Sequence, residues 1–179
     1  TQSENIYGTY LSNPLAEAMM RENYNKGLQM YFDFFADVTL WKGLVFRAEY
    51  AGNYYYNNSY QYTPSYDYGH YKQASSGSRS ASNGSNWTLK TYLTYNATFG
   101  KHNVSAMVGH EAQENSWEYL SGSRDNYLFN TVHELNMGDA TTAKNNSGRS
   151  SSAIESYYGR LNYGYDDRYL ATFTLRSDG

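Results

Sequence analysis

The sequence predicts an all-β fold, namely a set of strands from a transmembrane antiparallel β-barrel. Three observations favour this fold class. Runs of about ten residues alternate apolar and polar side chains with a period of two. The connections between the runs are alternately short and long, and aromatic residues gather at both ends of the runs. A barrel strand turns one face to lipid and the other to a lumen, so the low mean hydropathy of −0.81 agrees with this fold.

The composition argues against several other classes of protein. The chain has no cysteine, which excludes a disulfide framework and a thiolate metal site. Its formal net charge is −3 and no basic stretch stands out, so nucleic-acid binding has no electrostatic support. No stretch approaches ~18 consecutive apolar residues, so no membrane-spanning helix is expected. The 22 tyrosines and the 18% aromatic content are instead compatible with an alternating barrel wall.

The first predicted hairpin covers about 28–56 and contains strands at about 28–40 and 44–56. Every even-numbered residue of the first strand is apolar, whereas Asp33 and Asp37 occupy odd positions. A helix would place both aspartates among the apolar residues, so a strand is the better interpretation. The second strand alternates in the same way.

The turn of this hairpin is predicted from the coincidence of the two apolar faces. Pairing Leu40 with Leu44 brings these faces together and leaves Gly43 able to take a left-handed turn position. A register error of one residue would move every apolar side chain to the wrong face. The same register sets Asp37 opposite Arg47, where we expect a cross-strand ion pair.

Two further hairpins follow the same alternation. They cover about 87–112 and 157–176, with strands at about 87–99, 104–112, 157–165 and 169–176. The strand at 104–112 is the weakest because His110 falls on its apolar face. Phe99 and Val104 are expected to pair across four residues, and Tyr165 and Tyr169 across three, which are common hairpin lengths.

The longer connections, at about 57–86 and 113–152, are rich in Ser, Asn, Gly and Tyr and are predicted to be extracellular loops. The short turns are expected on the periplasmic side. Aromatic rings are favoured at both interfaces of a membrane. The rings beside the short turns are Trp41, Phe99, Tyr165 and Tyr169, and those toward the long loops are Tyr54, Tyr56, Trp87 and Tyr157.

The number of strands predicts that this chain is only part of a barrel. Single-chain barrels begin at about eight strands, and an open edge in lipid leaves backbone groups unpaired at several kcal/mol each. Either several chains share one barrel, or the chain is a fragment of a longer one. Both ends of the sequence look like cuts, which favours a fragment of a barrel of about 22 strands.

Three segments carry motifs of a known family. The last hairpin contains Y-Y-G-R-L-N-Y (157–163), D-R-Y-L (167–170) and L-R-S-D-G (175–179). The middle hairpin contains L-T-Y-N (93–96), F-G-K-H-N (99–103) and G-H-E (109–111). The first part contains N-P-L-A (13–16) and L-W-K-G-L-V-F (40–46). Together these motifs resemble those of the SusC/RagA family of TonB-linked outer-membrane proteins, over almost the whole chain.

The resemblance implies an outer-membrane importer of a Gram-negative bacterium. Members of this family have a large barrel that encloses an N-terminal plug domain, and TonB energises them from the periplasm. The plug domain and the TonB-contacting segment are not among these residues. The resemblance also implies a SusD-like surface lipoprotein that acts as a lid, outer-membrane lipid around the barrel, and an oligosaccharide or peptide as cargo. No cofactor is implied.

Two groups of residues are candidates for contact with cargo. Tyr60, Tyr62, Tyr66 and Tyr68 crowd one predicted loop, and their rings could stack on sugars or peptide side chains. The alternative is that this loop packs on itself or on the lid partner. The second group is predicted to face the lumen, where its members contact cargo or plug, or pair with one another because interior charges need partners. It comprises Asp37, Arg47, Glu49, Lys90 and Arg160.

No arrangement of residues suggests catalysis or a metal site, so we expect no enzyme activity. The four histidines, His70, His102, His110 and His133, are scattered and are expected to be solvated loop residues. Asp166 and Asp167 occupy a tight turn, where aspartate bonds to the local backbone. Two other functions remain open: a structural or adhesive barrel without energy coupling, and a soluble glycan-binding β-sandwich.

Overall fold

A computed structural model describes residues 14–67 and 72–179 of the chain. Within these ranges there is one short α-helix, α1, and the remaining regular structure is mostly strand, which confirms the all-β prediction. The elements are α1 (Pro14–Met20), β1 (Glu22–Trp41), β2 (Leu44–Thr63), β3 (Tyr66–Asp67), β4 (Lys72–Gln73), β5 (Ser76–Phe99), β6 (His102–Asp125), β7 (Lys144–Tyr165) and β8 (Tyr169–Asp178).

The six long strands form one sheet in the order β1-β2-β5-β6-β7-β8. Each long strand therefore pairs with the long strand that precedes or follows it in the chain, as in an up-and-down barrel wall. The connection between β2 and β5 contains the small antiparallel pair β3 and β4. Two short 3-10 turns, Leu135–Met137 and Ala140–Thr142, lie in the connection between β6 and β7.

In the described part of the chain, no helix has both the length and the apolar character that crossing a membrane requires.

The strands are much longer than the sequence predicts. β5 and β6 each contain 24 residues, and β7 contains 22. Much of the two predicted loops, 57–86 and 113–152, is therefore strand, and the connections shrink to 64–75 and 126–143. The physical reason is that the backbone ladder continues where the apolar–polar alternation has stopped. Polar side chains there leave no period-two signal to identify a strand.

Glycine residues permit the tight turns between β1 and β2 and between β5 and β6. Gly43 has a φ of +82°, as predicted for a left-handed turn position, and its carbonyl accepts a hydrogen bond of 2.8 Å from the Asn96 amide. Gly100 has a φ of +60°, and only Gly100 and Lys101 separate β5 from β6. The predicted pairing of Phe99 with Val104 gives a turn of four residues, which is two more than the structure has. A change of two residues leaves the faces of both strands unaltered.

The register of the last hairpin agrees with the prediction. Tyr165 is opposite Tyr169, so the three residues between them form the turn. Asp166 and Asp167 both have positive φ values, 52° and 53°, and the Arg168 amide donates to the Tyr165 carbonyl at 3.0 Å. Two consecutive left-handed residues are typical of a primed hairpin turn, whose twist matches that of the strands.

The chain comprises two compact units. The first, which we call the loop unit, contains residues 14–28, Tyr56–Asn83 and Glu118–Arg149 and includes both long connections. The second, which we call the turn unit, contains Gln29–Tyr55, Gly84–Trp117 and Ser150–Gly179 and includes the three short turns.

We expect Gly43→Ala to destabilise the folded full-length protein more than Gly100→Ala. Both substitutions force alanine into the left-handed region, at about 1–2 kcal/mol each. A Cβ at position 43 would also collide with the Asn96 carbonyl oxygen, whereas a Cβ at position 100 meets nothing within 4 Å. The collision should add about 1–3 kcal/mol, the usual range for overpacking. Urea unfolding in detergent measures both costs, and equal costs would contradict the close approach of Gly43 to β5.

Candidate functional site

One face of the turn unit carries a network of alternating charges. Arg47 lies between two carboxylates, with its Nε 3.6 Å from Asp37 Oδ1 and 3.9 Å from Glu49 Oε2. Lys90 Nζ extends the network across β5, at 3.6 Å from Glu49 Oε1. The predicted ion pair between Asp37 and Arg47 is therefore confirmed. These separations exceed hydrogen-bond length and the side chains are partly exposed, so each pair contributes at most about 1 kcal/mol.

The Arg47 side chain has a second contact besides its carboxylates. Its Cζ lies 4.5 Å from the ring centroid of Phe35, within the range of a cation–π interaction. Arg160, by contrast, is exposed and stands opposite Thr174 in the register of β7 and β8. It forms no ion pair with any residue in the described ranges. Four of the five charged residues predicted to face the lumen thus share one network, and Arg160 lies apart from it.

A second network, centred on Arg176, was not predicted. The Arg176 Nη2 atom donates to Glu111 Oε1 and to Ser156 Oγ, both at 3.0 Å. Its Nε donates to Asp178 Oδ1 at 2.7 Å. Ser156 is completely buried, and the side chain of Glu111 is only 19% exposed. Hydrogen bonds between charged partners are the stronger kind, so this guanidinium is held in one orientation.

Two tyrosine rings of the turn unit lie over glycines of neighbouring strands. A Cβ added at Gly109 would stand 2.5 Å from Cζ of Tyr158, and one at Gly84 would stand 2.6 Å from Cζ of Tyr55. The rings therefore occupy the volume in which other residues carry a side chain. An aromatic ring that covers a glycine across the strand restores the packing that glycine lacks.

The residues of the Arg176 network and of the adjoining tyrosine–glycine pair belong to the family motifs found in the sequence. Gly109 and Glu111 belong to G-H-E, Tyr158 to Y-Y-G-R-L-N-Y, and Arg176 and Asp178 to L-R-S-D-G. These motifs lie far apart in sequence, and the structure brings them together on β6, β7 and β8. The alternation of apolar and polar residues did not identify these residues, because it shows which positions are polar but not which residues contact one another.

The intervening positions of the turn unit form an apolar face. Phe32 and Tyr50 have ring centroids 5.3 Å apart, and Tyr50 and Trp87 are 6.0 Å apart. Phe34 is 66% exposed and Phe173 is 65% exposed. A β-sandwich would bury such residues beneath a second sheet. The described residues provide no second sheet large enough to cover this face.

Several polar groups on this apolar face pair with one another. His110 Nε2 lies 2.8 Å from Glu155 Oε1, and the Tyr157 hydroxyl donates to the same oxygen at 2.9 Å. Trp87 Nε1 donates to Glu114 Oε2 at 3.2 Å. These contacts explain how β6 keeps His110 at an otherwise apolar position. They also correct the expectation that this histidine is a solvated loop residue.

The loop unit has a small core made of tyrosines. Tyr60, Tyr62 and Tyr127 are 5%, 1% and 6% exposed. Tyr62 packs edge-on against Tyr127 at 5.2 Å and stacks on the imidazole of His133 at 3.8 Å. Burial also raises the pKa of the Tyr127 phenol, because its ionised form would lose solvation. We refer to these four residues as the tyrosine core.

The tyrosine core changes the interpretation of the predicted cargo residues. Because Tyr60 and Tyr62 are buried, their rings offer no open surface for stacking, and the alternative that this segment packs on itself describes them better. Tyr66 is half-buried. Tyr68, like His70, lies outside the described residues. The sequence could not separate these cases because the partners of Tyr60 and Tyr62 come from the distant 126–143 connection.

Side-chain contacts hold the 126–143 connection against its neighbours in the loop unit. The two ring nitrogens of His133 lie 3.2 Å from Glu22 Oε2 and 2.7 Å from the Asn130 carbonyl oxygen, so this loop histidine is held by protein contacts. The Asn130 carboxamide bonds the Ser65 amide and carbonyl, both at 3.0 Å. Arg79 pairs with Glu134 at 3.0 Å.

The second 3-10 turn of this connection is capped by Asp139. Its carboxylate accepts hydrogen bonds of 2.8 Å from both the amide and the hydroxyl of Thr141. These bonds stabilise the charged form and hold the pKa of Asp139 below its usual value. The connection is therefore an ordered element. Within residues 14–67 and 72–179, His, Asp and Glu side chains form no group of three that could hold a metal ion.

Comparison with known proteins gives four curated relatives, all described as TonB-dependent receptors. The chain is 36% identical over 98 residues to TonB-dependent receptor P3 of Formosa agariphila, and 27% identical over 175 residues to receptor P39 of the same organism. These alignments cover 54% and 94% of this chain. It is also 33% identical over 97 residues, 52% of the chain, to TonB-dependent receptor SusC of Bacteroides thetaiotaomicron. No protein-family model matches the chain.

The chain corresponds to a small part of each relative. It spans 10% of receptor P3, 16% of receptor P39 and 9% of SusC. Among solved structures, it is similar to the RagAB peptide transporter, with a TM-score of 0.87 at 20% identity. That match covers 97% of this chain and 20% of the other. It shows that nearly the whole chain has the fold of a segment of that larger protein.

We expect Tyr62→Ala to loosen the 126–143 connection and Tyr62→Phe to leave it ordered. Phenylalanine keeps the ring stacked on His133 and loses only the 3.3 Å bond to Asn130, at about 1 kcal/mol or less. Alanine removes the ring and should cost about 3–5 kcal/mol. Hydrogen exchange of residues 126–143 in the full-length protein measures this. Equal protection in both variants would show that Tyr62 does not support the connection.

Proposed function

Because this chain is a barrel segment of the SusC/RagA family of TonB-dependent receptors, we propose that it forms part of the wall of an outer-membrane importer. The importer takes up oligosaccharides or peptides with energy delivered by TonB and performs no chemistry on its cargo. One observation carries the proposal. A sheet of six long strands has an apolar face and a charged face in its turn unit, and no second sheet among the described residues covers either.

Each face has a distinct role in this proposal. The apolar face of the turn unit contacts acyl chains, and the charged face borders the lumen. There, Asp37, Arg47, Glu49 and Lys90, together with Arg160, contact the plug domain or passing cargo. The mutual pairing of the first four lowers the cost of keeping charges inside a barrel. The short turns lie on the periplasmic side and the long connections on the extracellular side.

The proposal includes two protein partners. A SusD-like surface lipoprotein closes the extracellular mouth, and TonB pulls on a segment of the receptor outside this chain. The name of the RagAB peptide transporter supports peptide as one cargo class. The second candidate function is a structural or adhesive barrel without energy coupling. The similarity to three TonB-dependent receptors favours import over this alternative.

The assignment of the two faces predicts the accessibility of single cysteines on β7. In the full-length receptor, with any other cysteine replaced, Arg160→Cys and Asn162→Cys should react with a small water-soluble maleimide. Leu161→Cys and Tyr163→Cys should be protected, because alternate residues point to opposite faces. Intact cells report the labelling, and detergent-denatured protein gives the full-reaction control. Labelling of positions 161 and 163 alone would contradict the assignment of faces.

Energy coupling is tested by uptake in cells. Radiolabelled oligosaccharide and peptide mixtures are supplied to cells that express the full-length receptor, with and without TonB. We expect receptor-dependent accumulation to fall at least tenfold without TonB. Cells lacking the receptor define the background. Accumulation that is unaffected by loss of TonB, or that never exceeds the background, would reject the importer and leave the structural or adhesive barrel.

A further inference from the structure

The loop unit contains a polar hollow that none of the predicted sites includes. Four neighbouring strands line it, and its volume is about 380 Å³. Its lining includes five serines and one lysine: Ser59, Ser78, Ser80, Ser121, Ser123 and Lys144. We call it the serine hollow. It lies within a single unit of the structure, so its geometry does not depend on how the two units are arranged.

The serine hollow and the tyrosine core occupy opposite faces of the same strands. Ser59 alternates with Tyr60 along β2, and Ser78 and Ser80 flank Arg79 along β5. Tyr60 and Arg79 are engaged on the core side, where the Arg79 Cζ lies 4.8 Å from the ring centroid of Tyr60. The 126–143 connection therefore fills one face of these strands. The other face keeps a concavity because serine is small.

The serine hollow offers many free hydrogen-bonding groups. Ser59 donates to Asn25 at 3.2 Å, and Ser121 makes a long bond of 3.4 Å to the Asn146 carbonyl. In the described part of the chain, the hydroxyls of Ser78, Ser80 and Ser123 take no protein partner. Each hydroxyl can donate one hydrogen bond and accept two. The hollow can thus satisfy a ligand that presents both donors and acceptors.

The charge of the serine hollow narrows the class of ligand. Two cationic residues line the hollow and no carboxylate does. Arg79 is paired with Glu134, whereas Lys144 forms no ion pair with a described residue. No apolar aliphatic side chain lines the hollow either. Apolar peptide side chains are usually held in apolar pockets and basic ones in acidic pockets, and this hollow provides neither. A neutral or acidic ligand that is rich in hydroxyl groups fits better.

An aromatic residue lies next to the serine hollow along β6. Tyr119 precedes Ser121 by two residues on β6, so both side chains point to the same face. A Cβ added at Gly148 would stand 2.8 Å from Cε1 of Tyr119, which shows that the ring lies over this glycine. The glycine lets the ring lie close to the sheet beside the hollow. Tyrosine combines an apolar ring face with a hydroxyl, which suits contact with a sugar.

We infer that the serine hollow is a cargo-contact site of the importer and that its ligand is an oligosaccharide. This inference rests on the proposed function, because the hollow must face the path of cargo. Saccharide hydroxyls match the free serine hydroxyls as both donors and acceptors, and Lys144 accommodates an acidic sugar. Tyr119 stacks on a sugar ring at the margin of the site. A peptide is the competing ligand class, and the experiment distinguishes the two.

The experiment measures binding by the purified full-length receptor. The probes are an array of neutral and acidic oligosaccharides and, in parallel, an array of hexapeptides. We expect binding to saccharides and a loss of at least tenfold in the double variant Ser80→Phe and Ser121→Phe, which fills the hollow. The matched control is Ala81→Phe, which places the same ring one residue further along β5 on the opposite face and should change binding less than twofold.

A second variant tests the inference even if the two phenylalanine substitutions cause misfolding. Ser78→Ala with Ser123→Ala removes two hydroxyls without adding volume and should weaken saccharide binding at least threefold. Heat-dependent electrophoretic mobility verifies the fold of each variant. Binding to hexapeptides alone, binding to no saccharide, or saccharide binding that neither variant weakens would overturn the inference. TonB-dependent uptake is measured separately, so the importer can stand even if the hollow proves not to bind cargo.

Discussion

One constraint governs this structure: the backbone of every strand must be paired, while its side chains alternate between two different surroundings. The turns satisfy this constraint at the ends of the strands. Gly43 and Gly100 adopt left-handed conformations, as do Asp166 and Asp167. Each turn returns the chain with its faces aligned. Apolar residues such as Phe34 and Phe173 therefore share one face, and the Arg47 and Arg176 networks share the other.

The charged face is stabilised by networks and not by isolated pairs. Arg47 joins Asp37 and Glu49, and Arg176 joins Glu111, Ser156 and Asp178. A lone charge held away from bulk water would lose solvation without compensation, whereas a network satisfies several groups together. The loop unit is stabilised in a different way. It buries one face of its strands under the 126–143 connection, through Tyr62 and His133, and leaves small polar side chains on the other.

Local periodicity predicted the features that depend on neighbouring residues. The Asp37–Arg47 pair and the register of Tyr165 with Tyr169 follow from face alignment across short turns. Periodicity did not predict the features that depend on contacts between residues distant in sequence. The ends of β5, β6 and β7 lie beyond the last apolar alternation, and the burial of Tyr60 and Tyr62 depends on residues 126–143. The length of the Gly100 turn was predicted wrongly, because a shift of two residues leaves both faces unchanged.

The tyrosine–glycine pairs have a consequence for how this protein varies among its relatives. Tyr158 occupies the space above Gly109, Tyr55 that above Gly84, and Tyr119 that above Gly148. Neither member of such a pair has room to change alone: a larger residue at the glycine displaces the ring, and a smaller residue at the tyrosine leaves the glycine backbone uncovered. The two positions of each pair should therefore covary during evolution, although they lie on different strands.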